Sequence, residues 1–470
     1  MRLLVLTIIL TTFVQATVPA EEPEAKGEEL YLEFCSKCHG NNLEGGNAPS
    51  LVDGIWMYGS DKIRNITFGI TQQGMPAFGD ALSKDQIEAI SRFIDESAHS
   101  AGAVRPPIPD TLYTYDYDIL VQKWVEGLEI PWAITFVDST TALITERSGR
   151  LRIVQDGVLA PKAVENTPAV IAQSQGGLMD VAIDPDHGQN GWVYLAYSHV
   201  LVDTSQTRPP AMTRIARGRI REGKWRDHKV IYDATHDTYQ STRHHYGSRI
   251  VFDSSGNLYF SVGDRGRSGE AQDLSRPNGK IHRIRSDGNI PTDNPFTADV
   301  ETLTTIFSYG HRNPQGLAVH PVTGEVWSAE HGPMGGDEIN IVRRGENYGW
   351  PKITYGRNYN GTLVSQHERL PGMVQPVLFW RPSIAVCAVE FYQGRSFGKW
   401  ENRLLVSALA YEEVRLLAIE NDRVINQEVI LKNAGRVRDV ANGPDGAIYV
   451  VLNSPGTVLR LTPIVEDNGF

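Results

Sequence analysis

The chain has 470 residues, long enough for more than one domain, and its 41% hydrophobic and 21% charged residues describe an ordinary globular protein. Its 45 Lys plus Arg against 56 Asp plus Glu give a formal charge of −11, and with no basic run this argues against a nucleic-acid partner. Three cysteines cannot build a disulfide framework, whereas 44 glycines and 26 prolines supply the turns of an all-β architecture.

Residues 1–20 read as an export signal: Arg2 gives the positive start, residues 3–14 the apolar core, and Ala16 or Ala20 a cleavage site. The run is short for a bilayer span and no other stretch approaches one. The mature chain is therefore expected in the periplasm, without a membrane span.

Residues 21–98 form the next unit. Cys35, Cys38 and His39 make a C-x-x-C-H array, in which two thiols can add to the haem vinyl groups while the imidazole ligates iron. A zinc half-site would need a second ligand pair, and a redox dithiol a βαβ context; neither follows in the sequence. A helical pattern through Lys26, Leu30 and Phe34 precedes the motif, and Met75 follows in a Gly/Pro loop. Ser83 and Gln86 form a capping box before a helix over 83–96, with Ile87, Ile90 and Ile94 on one face. These parts resemble a small all-α class I cytochrome c, which implies covalent haem c on Cys35 and Cys38 with His39 and Met75 as axial ligands. Met57, in an apolar segment, is the competing thioether and reads as packing.

Residues 99–112 contain three prolines and no periodicity, and read as a linker. Beyond it, over 113–465, the pattern changes to short strands around turns. Six segments (142–154, 191–198, 256–263, 324–329, 403–419 and 446–461) share the form strand, turn, strand, which suits a six-bladed β-propeller. A pair of β-sandwiches is the other reading.

Polar clusters punctuate these strands. Gln175 lies in a glycine-flanked stretch that reads equally as a plain turn. His244 and His245 stand before an apolar strand, placed to bind metal or simply to face solvent. Arg312 and Asn313 pair a planar guanidinium with an amide, which suits a carboxylated or quinone ligand or simply closes a turn. Arg436 and Arg438, two apart, share a strand face, as anion ligands or as a surface charge ladder. Cys387 reads as a core residue.

Taken in order, the stretches GHRNPQGLA, EHGP, GDEIN and ENYGWP resemble the soluble PQQ-dependent glucose/sorbosone dehydrogenase family, over about 124–461. The resemblance implies an all-β six-bladed propeller that holds pyrroloquinoline quinone (PQQ) over Ca2+ and oxidises an aldose or related polyol. It assigns His245 as base, Asp264 as its carboxylate partner, Arg312 to the quinone oxygen and Gln175 to sugar or quinone. Asn313, Ser383, Arg436 and Arg438 fall on PQQ contacts, and the carbonyls of Gly332 and Pro333 on the Ca2+ ligands. Two positions depart from the pattern: Ala410 stands where the family has a lysine, with Arg415 or Arg381 as candidate substitutes, and His244 where it has an acid. The fused cytochrome then implies transfer to haem and on to an external acceptor, a cytochrome or terminal oxidase. The rival readings are a haem electron carrier with a non-catalytic propeller and a Ca2+-dependent propeller hydrolase or lactonase.

Overall fold

The computed structural model describes residues 23–43, 51–52, 62–70, 75–100, 108–201 and 208–464. The expected signal (1–20) and Met57 lie outside the described residues. The chain divides into two compact units, one before residue 106 and the other from Pro106 onward.

The first unit is helical: Pro23–Phe34, Ser36–His39, Lys62–Phe68 and Lys84–Ser100. The capping box forms as expected: the Gln86 amide N–H donates to Ser83 Oγ at 3.3 Å, and the Ser83 N–H donates to Gln86 Oε1 at 2.8 Å. Behind it Ile87, Ile90 and Ile94 are buried against Tyr31 and Ile66. Gly27 permits the first and last helices to touch, since a Cβ there would lie 2.5 Å from the Ala89 carbonyl oxygen. The last helix extends to Ser100, and Thr111–Tyr113 is a strand, so the span read as linker is shorter than 99–112.

The second unit is a six-bladed β-propeller. Blades 1 to 5 are four-stranded antiparallel sheets that begin with Pro131–Phe136, Leu178–Ile183, Ile250–Phe252, Pro314–Val319 and Val386–Phe391. Blade 6 begins at Val437–Asn442 and is completed by two strands from the start of the unit, Asp118–Val125 and Thr111–Tyr113. This closes the ring by hydrogen bonds between chain-distant strands and leaves no open sheet between first and last blades. Each of the six repeat segments falls in a different blade. Only 142–154, 403–419 and 446–461 contain two strands, however; the other three hold a turn and a single strand. In these three the glycine turn precedes the one strand.

The first strand of each blade packs against the first strand of the next, so six of them surround the axis. In five of the six, the pairing with the second strand slips by a bulge near the strand start. A bulge breaks the alternation of faces and re-aims the residue after it. Here it turns Asp180 and Asp439 onto Arg249: the guanidinium Nη1 donates to Asp180 Oδ1 at 3.2 Å and Asp439 Oδ1 at 3.0 Å, and Nε to the Gln315 carbonyl at 3.1 Å. The second carboxylate oxygens accept from the Ile250 and Ile134 backbone N–H groups. The cation and its two carboxylates together link five blades at the axis.

Candidate active site

A strand that starts at one end of a blade and its antiparallel neighbour that finishes there deliver their flanking loops to the same face. Gln175, His245, Arg312, Asn313, Ser383 and Arg436 precede first strands, Arg438 lies at the start of one, and Asp264, Gly332, Pro333 and Ala410 follow second strands. Residues scattered from 175 to 438 therefore meet at one mouth of the propeller.

At its centre is an imidazole–carboxylate pair. His245 Nδ1 lies 2.7 Å from Asp264 Oδ1, with the histidine side chain 14% exposed and the aspartate 2%. The same Oδ1 accepts from Gly266 N–H at 2.8 Å, and Oδ2 accepts from the Trp350 indole N–H at 2.8 Å. Burial pushes the Asp264 carboxyl up, but the His245 hydrogen bond, the charge of Arg312 and the Gly266 N–H outweigh it and hold the group below its usual range. An ionised Asp264 places the imidazole proton on Nδ1 and leaves the Nε2 lone pair free. Burial, reinforced by Arg312, pushes His245 down to about 4 against the pull of Asp264, so the ring is neutral at pH 7.

The backbone around the base is held as firmly. His245 adopts φ 55°, a conformation unusual for a non-glycine residue. Its N–H donates to Gln175 Oε1 at 2.7 Å. Arg265, fully buried, donates to the His244 carbonyl and, at 2.7 Å, to that of Thr242, while Thr242 Oγ donates back to the Arg265 carbonyl. Gly263 is required between them, because a Cβ would strike His245 O and Asn313 Oδ1. His244 packs edge-on to His245 with ring centroids 4.6 Å apart, and burial lowers its pKa.

Guanidinium groups line the same region. Arg312 Nη1 donates to the carbonyls of Gly332 (2.7 Å) and His331 (3.1 Å), and its guanidinium lies 5.4 Å from the Trp350 ring centroid. Arg438 stacks 3.9 Å from the Trp132 ring centroid and donates to Gln315 Oε1 at 3.2 Å and Cys387 Sγ at 3.4 Å. Cys387 is buried in the core as expected, and its thiol in addition touches a buried guanidinium. Arg436 precedes the strand, and the bulge between Val437 and Asp439 removes the simple two-residue alternation expected of Arg436 and Arg438. Both have lowered pKa values, first from burial and, for Arg436, next from Arg438. Among the described residues, none of the ion pairs involves Arg312, Arg436 or Arg438. Neither suggested substitute for the missing lysine joins them. Arg415 is bound to Glu413 and Gln427, and Arg381 to Glu368 and the Tyr355 carbonyl.

Three uncompensated guanidiniums suit a polyanionic, planar ligand. Two buried nitrogens without partners, His331 Nε2 and Arg438 Nε, add hydrogen-bonding capacity beside them. These residues fit PQQ. For Ca2+, the carbonyls of Gly332 and Pro333 are hard donors, but each already accepts a bond, from Arg312 and from Ser383 Oγ at 3.2 Å. Asn313 Oδ1 accepts from Gly247 N–H at 3.0 Å. In the helical unit Cys35 is buried and Cys38 exposed. Phe34, Leu51, Val52, Met75 and Phe78 flank the core only partly buried, as apolar walls that suit a macrocycle. Met75 pairs with Ile70 through two backbone hydrogen bonds.

Sequence reasoning singled out the pair His245–Asp264 and the arginines. It passed over Trp350, although the ENYGWP stretch was in view, as well as Arg265, His331 and the axial Arg249. A lone buried tryptophan or arginine carries no local pattern that distinguishes a partner from a packing residue.

The fold agrees with comparison to known proteins. The model of the Glucose / Sorbosone dehydrogenase family matches residues 128–460, and the chain belongs to that family. Ahead of it, residues 22–94 match the model described as Cytochrome C oxidase, cbb3-type, subunit III, so a cytochrome c domain is joined to the propeller. The aldose sugar dehydrogenase YliI of Escherichia coli is 38% identical over 363 residues, covering 76% of this chain and 96% of the relative. The quinoprotein glucose dehydrogenase B of Acinetobacter calcoaceticus is 25% identical over 439 residues, covering 73% and 88%. The crystal structure of the soluble aldose sugar dehydrogenase from Escherichia coli, an apo-form, superposes with a TM-score of 0.69 at 36% identity, over 74% of this chain and 100% of that one.

Proposed function

We propose that the chain is an exported quinohaemoprotein dehydrogenase of the periplasm, which oxidises the C1 hydroxyl of an aldose, or of a related polyol, with PQQ and Ca2+. It delivers the electrons to its own haem c domain and on to an external acceptor, a cytochrome or terminal oxidase. The observation that supports this most is the meeting, in one loop cluster, of a neutral His245 paired with an ionised Asp264 and three guanidiniums without carboxylate partners. Similarity to aldose and glucose dehydrogenases points the same way.

Arg436 and Arg438 would hold PQQ by its carboxylates, Asn313 and Ser383 by an amide and a hydroxyl, and Arg312 by the quinone oxygen. Gly332 and Pro333 would hold Ca2+ through their carbonyls. Bound there, PQQ supplies the acceptor for the hydride that leaves C1. The chain's own part is proton handling and alignment. His245 Nε2 takes the hydroxyl proton, and Asp264 then faces an imidazolium whose charge it balances. Gln175 fixes the base through its carbonyl, which leaves its exposed amide N–H groups for the sugar. In the helical unit Cys35, Cys38, His39 and Met75 would hold haem, a one-electron carrier. The tether keeps this first acceptor at high effective concentration. Among the described residues no helix is long and apolar enough to cross a membrane.

The test is steady-state oxidation of an aldose panel by the full-length chain with an artificial acceptor. The proposal expects turnover that needs both PQQ and Ca2+. Absence of turnover with every sugar, together with absence of PQQ binding, would favour an electron carrier with a non-catalytic propeller. Ca2+-dependent lactone hydrolysis without PQQ would favour the hydrolase.

A further inference from the structure

We propose that Trp350 is a positioning residue that couples the base to the polarising arginine: its indole N–H orients the Asp264 carboxylate toward His245 while its ring face seats Arg312. The inference rests on the dehydrogenase reading for its catalytic consequence, but the bond itself is independent of that reading.

The geometry is specific. Asp264 has two oxygens and three donors around them. His245 and Gly266 share Oδ1, and Trp350 alone serves Oδ2, at 2.8 Å in a buried setting. Without that donor Oδ2 would be a buried carboxylate oxygen left without a hydrogen bond, free to rotate toward His245. The indole is itself anchored at both backbone ends. The Trp350 backbone N–H donates to the Gly310 carbonyl at 2.8 Å, and the Trp350 backbone carbonyl accepts from Gln272 Nε2 at 2.8 Å. The same ring stands 5.4 Å from the Arg312 guanidinium, whose backbone carbonyl accepts from Asp264 N–H at 2.7 Å. Trp350, Asp264 and Arg312 therefore form a closed triangle, and a shift of the indole moves both the base partner and the guanidinium.

The direction of the effect follows from charge sharing. A donor on Oδ2 withdraws negative charge from the side that faces His245, so its loss makes the carboxylate a stronger acceptor and raises the imidazole pKa. The charged or titratable groups that act on His245 are Asp264, Arg312, His244 and His331. Trp350→Phe keeps a ring beneath Arg312 and removes the N–H, so it isolates the bond from the packing.

The experiment is a 15N-histidine NMR titration of the full-length haem-loaded chain without PQQ, wild type against Trp350→Phe. The expected result is an upward shift of the His245 titration by on the order of half a pH unit or more. In turnover with PQQ, Ca2+ and an aldose, the acid limb of kcat should move up with it. At the optimum kcat should fall roughly tenfold or more, with KM little changed. An unmoved His245 titration, with a pH-independent loss of activity, would reduce Trp350 to a space-filling role and overturn the proposal. Should Trp350→Phe fail to fold, the wild-type indole N–H resonance reads the same bond. It should sit downfield and move upfield in Asp264→Asn, and an unchanged position would refute the bond. A wild-type chain that oxidises no aldose would sink the dehydrogenase reading alone, because the NMR readouts need neither sugar nor PQQ.

Discussion

Asp264→Asn is the substitution whose outcome the structure fixes most tightly. The carboxylate meets three donors: His245 Nδ1 at 2.7 Å, Gly266 N–H at 2.8 Å and Trp350 Nε1–H at 2.8 Å. Two of these, the peptide and the indole, can never accept a hydrogen bond. An asparagine offers one oxygen. If it faces His245 and Gly266, its NH2 confronts the indole N–H and one buried donor is orphaned. If it faces Trp350, its NH2 confronts Gly266 N–H and forces His245 to carry its proton on Nε2, which abolishes the base. Either arrangement also removes the anion that balances the imidazolium. At close range and an effective dielectric of about 20 that interaction is worth about 4 kcal/mol, or roughly three decades in rate. Comparable carboxylate-to-amide exchanges behind a catalytic histidine cost about 10⁴. The expected result is a fall in kcat of about 10³–10⁴ with KM and PQQ affinity nearly unchanged. Steady-state kinetics with saturating PQQ and Ca2+, alongside a PQQ titration, would measure both. A variant that keeps kcat within tenfold of wild type would refute the roles given to Asp264 and His245.

Three further outcomes follow from the same geometry. Arg249→Met leaves Asp180 and Asp439 buried without their shared cation, at a cost of about 3–5 kcal/mol, which should lower the propeller's melting temperature by roughly 4–6 °C. Burial already raises Asp180 to about 7 against the pull of Arg249, and a raised carboxylate pKa means stability is lost as pH climbs through it. Calorimetry should therefore find a larger penalty at pH 8 than at pH 5.5; a penalty that is small or independent of pH contradicts the clasp. Arg438→Met removes one charged donor set and should weaken PQQ binding by about 10–100-fold in a fluorescence or calorimetric titration, whereas an unchanged Kd would place PQQ elsewhere. Ala410→Lys restores a cation at the half-buried position where the family carries one, and PQQ should bind roughly tenfold more tightly. Equal affinity would mean that the arginines already satisfy the cofactor carboxylates.

Much of this was legible in the sequence because it is written in local patterns. The capping box at Ser83 and Gln86, the isoleucine face after it and the C-x-x-C-H array each lie within a few residues. The ordered loop motifs gave the propeller and brought His245, Asp264 and Arg312 into one proposal although the chain separates them. What was hidden depends on geometry that spacing does not encode. Bulges aim Asp180 and Asp439 at Arg249, and no alternation rule places them there. The same device at Val437 broke the expected two-residue face of Arg436 and Arg438. Cys387 read as core because its neighbours are apolar, yet on the innermost strand of its blade a buried side chain meets the axis and its charges. Three repeat segments held single strands because a glycine turn before one apolar run looks the same as a turn between two.

The central claim is that sugar oxidation in the propeller reduces the attached haem. The direct test is to oxidise the full-length holo-cytochrome, mix it with an aldose and follow the haem α-band with and without PQQ and Ca2+. The account predicts that the α-band develops only when sugar, PQQ and Ca2+ are all present, and that Asp264→Asn slows it in proportion to kcat. A haem that dithionite reduces but that stays oxidised with the complete mixture, across a panel of aldoses and polyols, would contradict it.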